Sequence, residues 1–457
     1  MTAISTVPPK RGRNVELALL LVAVGIVVLA YVNVELATGG SVPPDLLAHT
    51  GGLLAIAIAF HLVLRWRASY ADPLILPIVT LLNGLGLVMI HRLDIANGRS
   101  ITEGLAFRQL QWSALAVAIA IGALFVLRDH RTLRQKTYLS GAAGIVLLLL
   151  PLLPVIGREV NGARIWIGLG PFTFQPAELA KILLAIFFAG YLVQTRDVLS
   201  LAGNKVLGIT FPRGRDLGPI LAVWMLSVLV LVLETDLGTS LLLFGIFVSM
   251  LYVATERISW IAIGLGLAAA GAYVAYLLFS HLQTRVLIWL DTWSPEALQA
   301  SDQIAKGIMG MASGGLLGTG LGRGRPDLNY FAESDLIFPS FGEELGLVGV
   351  FAILALYALL VERGLRTAIG LRDGFGKLLA SGLAFAVALQ VFVVVGGVTR
   401  VIPLTGLTLP FMAYGGSSLL TNWTLAALLL RISDHARRPL EELPVADEAP
   451  TEVVRLR

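Results

Sequence analysis

Residues 333–361 read ESDLIFPSFGEELGLVGVFAILALYALLV. They lead from a polar stretch at about 282–334, rich in glycine, into an apolar run at 337–361. That run is longer than the roughly 20 residues that a membrane helix needs. Asp335 lies at the junction, where a carboxylate is costly unless it has a partner or a function. The simple alternative is that Ser334 or Asp335 caps the helix that follows.

Apolar runs of this kind dominate the chain of 457 residues, of which 56% are hydrophobic and 14% are charged. Soluble domains carry about 25% charged residues, so the composition predicts an all-α polytopic membrane protein with about twelve transmembrane helices. The absence of cysteine excludes disulfides, cysteine metal sites and thiol nucleophiles. The predicted spans are 15–37, 46–64, 73–93, 105–127, 138–155, 177–194, 218–234, 238–254, 258–281, 337–361, 377–397 and 408–431.

Basic residues are distributed unequally between the two sides of these spans. With a cytoplasmic N-terminus, 23 of the 34 Lys and Arg residues fall on inner segments. The positive-inside rule therefore predicts that both termini are cytoplasmic and that 282–334 is a large extracellular loop. We expect an N-terminal tail at 1–14, two additional helices within 15–70, a core at 71–432 and a disordered cytoplasmic tail at 433–457.

Two other outer segments carry paired charges. Pro176 suits the first turn of a helix, and Glu178 and Lys181 then lie three residues apart on one helical face. They form either a mutually neutralising pair or the charged wall of a polar cavity. Glu234 and Asp236 flank a turn between two apolar runs, where the simple expectation is that Asp236 caps the second helix.

The outer side also contains isolated acids and bases. Glu343 and Glu344 lie inside the apolar run 337–361 and must face protein or water. Six basic residues are candidates for binding an anionic headgroup: Arg164, Lys181, Arg285, Arg323, Arg325 and Arg400. The glycine-rich segment 314–322 has no flanking strands, so its GxGxxG-like spacing does not predict a nucleotide site. Its amides suit either an anion nest or a flexible linker.

Six ordered motifs in this chain resemble those of the shape, elongation, division and sporulation family. They are Gln175-Pro176-Ala177-Glu178; Thr235-Asp236-Leu237-Gly238-Thr239; Ser313-Gly314-Gly315-Leu316 with Gly318–Gly322; Glu333-Ser334-Asp335-Leu336-Ile337-Phe338; Gly342-Glu343-Glu344-Leu345-Gly346; and Pro403-Leu404-Thr405-Gly406 with Tyr414-Gly415-Gly416-Ser417-Ser418. The resemblance covers about residues 73–432. The segment Asn83–Asp94 and the two extra N-terminal spans are similar to the actinobacterial RodA branch.

The resemblance implies a ten-helix core that polymerises lipid II into glycan strands and releases undecaprenyl pyrophosphate, together with a class B penicillin-binding protein. It places the family's essential aspartate at Asp335 and its intramembrane acid–base pair at Glu178 and Lys181. A pyrophosphate leaves as an anion and needs cations or a metal ion more than a general acid. One carboxylate can therefore suffice, and we expect Asp335 to be the general base.

The expected substrate-binding set surrounds this base. A divalent cation, Mg²⁺ or Mn²⁺, is expected to be shared by the pyrophosphate and nearby acids, and no organic cofactor is expected. The residues of the set are Arg164, Glu178, Lys181, Asp236, Arg400 and Glu343.

Two other classes of function compete with the enzyme. A lipid II flippase would also use broken helices and charges at membrane depth. A non-enzymatic scaffold would only position the penicillin-binding protein. The concentration of polar groups on the outer side favours the enzyme. A role in division rather than elongation is also compatible with the motifs.

Overall fold

The computed structural model describes residues 12–40, 46–100, 103–160, 163–169, 172–199, 205–206, 209–210, 218–234 and 236–439. Most of the two predicted tails lies outside these residues, as does Thr235 of the second motif. The division into tails, additional helices and core stays a prediction.

Helices form nearly all of the described structure because long apolar runs must satisfy their own backbone hydrogen bonds in a membrane. Ten of the described helices are long and apolar enough to cross one, and one of these ten, His130–Leu152, includes the 3₁₀ turns at both of its ends. This confirms the prediction of an all-α polytopic fold. The helices are α1 (Arg13–Thr38), α2 (Leu46–Arg67), α3 (Ile75–Ala96), α4 (Leu105–Val126), α5 (Thr137–Leu149), α6 (Pro176–Leu199), α7 (Gly218–Glu234), α8 (Leu237–Thr255), α9 (Ser259–Leu278), α10 (Ser280–Leu290), α11 (Pro295–Ala300), α12 (Gln303–Gly314), α13 (Ile337–Gly370), α14 (Gly374–Val398) and α15 (Gly416–Arg437).

Two predicted spans correspond to helices outside that group of ten. Helix α7 has 17 residues, with a short apolar stretch at Leu221–Val230. Helix α15 begins at Gly416, whereas the predicted span begins at 408. Most of its residues are buried in protein, including Asn422 and Thr421. Because protein rather than lipid surrounds α15, its polar side chains find partners and the helix needs less apolar surface.

A small antiparallel sheet is an addition to the predicted all-α fold. It contains β1 (Gly157–Val160), β2 (Ala163–Leu169) and β3 (Phe172–Phe174), in the order β1-β2-β3. Ile167 of the central strand pairs with Gly157 on one side and Phe174 on the other. A second pair of short strands joins β4 (Lys205–Val206) to β5 (Ile209–Thr210).

The N-terminal helices pack directly on the remaining helices. At Gly84 of α3, a Cβ atom would lie 2.3 Å from Val27 of α1. A buried cluster joins α1 to α2: Arg13 Nη1 donates to Glu16 at 2.6 Å, and His61 Nδ1 lies 2.7 Å from the other Glu16 oxygen. Close packing therefore joins α1 to α3, and buried charge joins α2 to α1.

About half of the predicted extracellular loop 282–334 is helical, since it contains most of α10 and all of α11 and α12. The glycine segment, residues 315–324, then packs into a break in α13 at Gly346, whose φ is 66°. At Gly318 a Cβ atom would lie 2.2 Å from the Glu344 carbonyl oxygen. Glycine is needed here because two backbones approach each other closely.

The amides of the glycine segment are used in this packing. Thr319 N donates to the Glu343 carbonyl and Gly320 N to the Glu344 carbonyl, both at 3.0 Å. Gly322 N donates to Glu344 Oε2 at 2.9 Å. Neither an anion nest nor a flexible linker fits these contacts, because the donors are already paired with α13.

Candidate active site

A cavity of 1320 Å³ lies where α4, α10, α14 and α15 meet the sheet. It is larger than the roughly 300–1,000 Å³ typical of small-molecule pockets, so it has room for a large headgroup. Its lining includes Arg108 of α4, Arg285 of α10, Trp166 of β2, Asp335 and Arg400.

Hydrogen bonds bring the sequence motifs together around this cavity. Tyr414 N donates to the Glu333 carbonyl at 2.8 Å, which joins the motif of Asp335 to the tyrosine–glycine motif. Gln175 N donates to Ser417 Oγ at 3.0 Å and adds the motif that begins α6. Motifs that are far apart in sequence therefore form one site.

Helix α4 fixes the irregular segment that precedes α15. Gln109 Nε2 donates to the Ala413 carbonyl at 2.9 Å, and Gly415 N donates to Gln109 Oε1 at 3.2 Å. In this part of the protein Arg400 and Phe411 adopt positive φ angles of 61° and 65°. Such strained backbone persists only where surrounding contacts enforce it, and it is common at functional sites.

Asp335 lies half-buried at the cavity surface, two residues before α13 begins. It does not cap that helix: the N-cap residue is Leu336, without a side-chain cap bond. Within the described part of the chain, no group donates a hydrogen bond to the Asp335 carboxylate. Burial raises the pKa of Asp335 to about 7; the Arg285 guanidinium opposes this shift and Glu333 adds to it. A carboxylate with that pKa is suited to accept a proton near neutral pH.

Asp236 also lies in the cavity, but its oxygens are engaged. Thr239 N donates to Asp236 Oδ1 at 2.9 Å, and Thr239 Oγ1 donates to Oδ2 at 2.6 Å. The side chain therefore caps α8, as the sequence predicted.

Arg285 is the cation beside both aspartates. Burial lowers the pKa of Arg285, while Asp236 and Asp335 oppose that shift by stabilising the charged form. Its Nη1 atom lies 3.3 Å from the carbonyl oxygens of Leu404 and Thr405. Arg285 is one of the six basic residues that the sequence offers for binding an anionic headgroup, but it is not in the smaller substrate-binding set. No pattern in the local sequence shows that α10 turns Arg285 toward the aspartates.

Arg400 lines the cavity while most of its donors serve α10. Its Nε and Nη2 atoms donate to the Trp289 carbonyl at 3.0 and 2.8 Å, and Nη2 also donates to the Leu290 carbonyl at 3.0 Å. The Trp289 ring nitrogen donates back to the Arg400 carbonyl at 3.0 Å. A cation at the end of a helix satisfies carbonyls that lack partners within the helix. Arg400 thus fixes α10, and with it Arg285.

Glu178 and Lys181 form a buried network in α6, behind the cavity lining. Lys181 Nζ donates to Glu178 Oε2 and to Gln390 Oε1, both at 2.7 Å, and to Asn422 Oδ1 at 3.3 Å. Both charged side chains are nearly inaccessible, with 5% and 2% of their surface exposed. The spacing in the sequence therefore indicated a real ion pair.

This network continues to the cavity surface through its two amides. Gln390 Nε2 donates to the Thr408 carbonyl at 2.9 Å, and Asn422 Nδ2 donates to Ser418 Oγ at 3.0 Å. Thr408 and Ser418 line the cavity and are joined by a 3.0 Å hydrogen bond. The ion pair therefore supports the cavity wall from one layer behind it.

Besides Glu178 and Lys181, two further residues of the expected substrate-binding set lie outside the cavity lining. Arg164 is exposed on β2 and lies 3.7 Å from Glu159. Glu343 accepts a hydrogen bond from Arg325 N at 2.6 Å, and its carbonyl binds the glycine segment. These contacts give Glu343 a structural role.

Asp236 and Glu343, the acids expected to share a divalent cation, do not line the same cavity. Asp236 caps α8, and Glu343 lies outside the cavity. In the described chain, three His, Asp or Glu side chains with converging ligand atoms occur only at Asp129, His130 and His435, outside this cavity.

Arg108 is a cavity residue that the sequence did not indicate. It lies on α4, is exposed, and hydrogen-bonds Tyr414. Its partner is some 300 residues away in sequence, so no local pattern distinguishes Arg108 from an ordinary interfacial arginine.

Comparisons with known proteins agree with this arrangement. Residues 73–438 match the cell cycle protein family of FtsW, RodA and SpoVE. The chain is 50% identical over 443 residues to the peptidoglycan glycosyltransferase RodA of Mycobacterium tuberculosis, a match that covers 96% of this chain and 94% of that one. Because 96% exceeds the share spanned by 73–438, the similarity includes the N-terminal helices.

Solved structures extend the similarity to the fold. RodA of Thermus thermophilus has 27% identity and a TM-score of 0.56, covering 81% of this chain and 98% of its own. A second solved structure is of a peptidoglycan synthase complex and concerns its coordination of polymerization and crosslinking. One of its chains has 28% identity and a TM-score of 0.62, covering 80% of this chain and 98% of its own. The six ordered motifs, the family match and the identity to mycobacterial RodA agree: this chain belongs to the FtsW, RodA and SpoVE family of cell cycle proteins, and it is similar to its actinobacterial RodA branch.

Proposed function

We propose that this chain is a peptidoglycan glycosyltransferase that polymerises lipid II during elongation and releases undecaprenyl pyrophosphate. The observation that carries the proposal is Asp335: a carboxylate with a raised pKa and no described hydrogen-bond donor, in a cavity lined by arginines. The 50% identity to a peptidoglycan glycosyltransferase over 96% of the chain supports the same activity.

Asp335 acts as the general base in this mechanism. The acceptor sugar hydroxyl gives its proton to the Asp335 carboxylate while its oxygen forms a bond to the anomeric carbon of the donor. The bond between that carbon and the pyrophosphate oxygen breaks, and its electron pair leaves with the pyrophosphate. Attack from the opposite face converts an α-linked donor into a β-linked product.

Arginines stabilise the departing pyrophosphate. Arg285 and Arg400 carry fixed positive charge into the cavity from α10 and from the end of α14, and Arg108 adds an exposed guanidinium from α4. Preorganised charges of this kind stabilise a developing anion without reorganisation during the reaction. Arg164 is exposed on β2, and the next two residues of that strand line the cavity. Arg164 therefore contacts parts of the headgroup that extend beyond the cavity.

A Mg²⁺ or Mn²⁺ ion bound with the pyrophosphate remains a proposal. The pyrophosphate oxygens would supply most of its ligands, since Asp236 and Glu343 are engaged elsewhere. Such an ion would neutralise the leaving group. The roles given to Asp335 and the arginines do not depend on it.

We further propose that the partner of this chain is a class B penicillin-binding protein. We also propose that both termini of the chain are cytoplasmic. The similarity to a chain of a complex that coordinates polymerization and crosslinking supports the first point. The excess of Lys and Arg on the segments opposite the cavity supports the second.

Purified full-length protein, labelled lipid II and the partner test this function against its rivals. We expect glycan polymer in detergent and in liposomes. A flippase would move lipid II across liposomes without polymer formation, and a scaffold would support growth with Asp335→Asn as long as the complex assembles. Either result would exclude the proposed enzyme.

The polymerisation rate should fall as the pH drops through about 7. The base form of Asp335 is required, and burial raises its pKa to about 7, so acid protonates the catalytic carboxylate. The measurement is the initial rate at saturating lipid II from about pH 5.5 to about pH 8.5. Arg285→Gln should move the midpoint to higher pH because Arg285 lowers the pKa of Asp335. A flat profile would contradict the assignment of the base.

A further inference from the structure

Asp129, His130 and His435 form a cluster, here called the histidine cluster, at the opposite ends of helices that line the cavity. Helix α4 carries cavity residue Arg108 near its start, and Asp129 and His130 follow its end. Helix α15 starts at cavity residue Gly416 and carries His435 in its last turn. A helix of 22 residues spans about 33 Å, so the cluster and the cavity lie on opposite membrane faces.

The three side chains present ligand atoms to one small volume. Asp129 Oδ1 lies 3.7 Å from His130 Nδ1 and 3.9 Å from His435 Nε2. All ligand atoms lie within 4.8 Å of one another. Ligands bound at roughly 2.0–2.2 Å in a tetrahedral zinc site are about 3.3–3.6 Å apart. The two distances from Asp129 Oδ1 therefore need to shorten by only a few tenths of an ångström to reach this geometry. The two histidine nitrogens, which lie within 4.8 Å of each other, need to approach by about 1.2 Å at most to reach the upper value.

The outer hydrogen bonds leave one lone pair on each ring directed at this volume. His130 Nε2 donates to Asp373 Oδ2 at 3.1 Å, and His435 Nδ1 donates to the Arg431 carbonyl at 3.1 Å. In the neutral tautomers that these hydrogen bonds favour, His130 Nδ1 and His435 Nε2 are the nitrogens that carry a free lone pair. The His130 side chain is fully buried, and its Nδ1 atom has no hydrogen-bond partner among the described residues. Metal-binding histidines typically use such a carboxylate or carbonyl to fix the ring.

Helix caps fix the carboxylates around the cluster. Asp129 Oδ1 accepts a hydrogen bond from Arg131 N at 2.9 Å, which caps the short helical turn after it. Asp373 caps α14 through Gly376 N at 2.6 Å. Arg131, a cation beside the cluster, lies 3.8 Å from Asp373 and is therefore partly neutralised. The ligand set is thus preorganised and retains negative charge.

We propose that the histidine cluster binds one Zn²⁺ ion through Asp129 Oδ1, His130 Nδ1 and His435 Nε2, with water as the fourth ligand. Imidazole nitrogen favours Zn²⁺ over Mg²⁺, which prefers oxygen. The bound ion joins the segment after α4 to the end of α15, and through Asp373 it also joins α14. It acts as a structural clip on the face opposite the catalytic cavity.

Metal analysis of the purified full-length chain, with its affinity tag free of histidine, tests this site. We expect about one Zn²⁺ per chain and, after exchange, the absorption bands of Co²⁺ bound by nitrogen and oxygen. His435→Gln and Asp129→Asn should each weaken Zn²⁺ binding more than about 100-fold, and Asp373→Asn, which keeps the helix cap, about 10- to 100-fold. His281→Gln, on α10, is the matched control and should bind as the wild type does.

Thermal unfolding separates loss of the site from loss of the fold. Zn²⁺ should raise the unfolding midpoint of the wild type and of His281→Gln, but not that of His435→Gln. The proposal is overturned if the wild type binds no Zn²⁺ at micromolar concentration, or if His435→Gln and Asp129→Asn bind it as tightly as the wild type.

Discussion

Asp335→Asn is expected to slow lipid II polymerisation by about 10²- to 10⁴-fold, the usual contribution of a general base. The amide has the size of the carboxylate but cannot accept the proton. Stability should change little, because Asp335 caps no helix and receives no hydrogen bond from the described residues. The measurement is the initial rate of glycan synthesis, with the thermal unfolding midpoint of the same preparation.

The matched control is Asp302→Asn. Asp302 precedes α12, lies outside the cavity lining and pairs with Lys306 at 2.8 Å. The control should polymerise at nearly the wild-type rate. Lipid II binding by Asp335→Asn should also be retained, since binding rests on the arginines. A well-folded Asp335→Asn protein with the wild-type rate would exclude Asp335 as the base.

The membrane helices could be predicted because their signal is local. In a bilayer, an apolar run of about 20 residues can adopt few structures other than a helix. The capping of α8 by Asp236 could be predicted for the same reason, since Asp236 and Thr239 are three residues apart. The Glu178–Lys181 pair follows from helical spacing in the same way.

The glycine segment shows what a local pattern cannot decide. Its five glycines suit a flexible linker or an anion nest as well as close packing. The partner that decides between them is the interrupted backbone of α13 around Gly346. Nothing in the glycine segment itself encodes that contact.

Tertiary position likewise separates the arginines. Arg164, Arg285 and Arg400 are all outer charges in the sequence, yet the expected substrate-binding set contains Arg164 and Arg400 and omits Arg285. In the fold, Arg285 lies beside both cavity aspartates, Arg400 holds the end of α10, and Arg164 is exposed on a strand. The run of β-branched and aromatic residues Ile165-Trp166-Ile167 is typical of a strand, but three residues are too few to predict the sheet.

Lys181→Met should destabilise the protein by about 3–5 kcal/mol, because it leaves Glu178 charged, buried and without its partner. The double variant Glu178→Gln with Lys181→Met should recover most of this loss, since apolar or neutral replacements of a buried ion pair are often tolerated. Thermal unfolding in detergent compares the variants. Lys306→Met breaks a more exposed pair of similar length, 2.8 Å to Asp302, and should shift the midpoint little.

The double variant also decides how the buried pair serves catalysis. Among the described residues, Lys181 reaches the cavity lining by hydrogen bonds through Gln390 and Asn422 alone, and these two side chains hold Thr408 and Ser418 of that lining. If packing and charge balance are all that the lining needs from the pair, polymerisation should return together with stability. A stable but inactive double variant would contradict that view, because it would show that activity needs the Lys181 ammonium itself, which donates to Gln390 and Asn422.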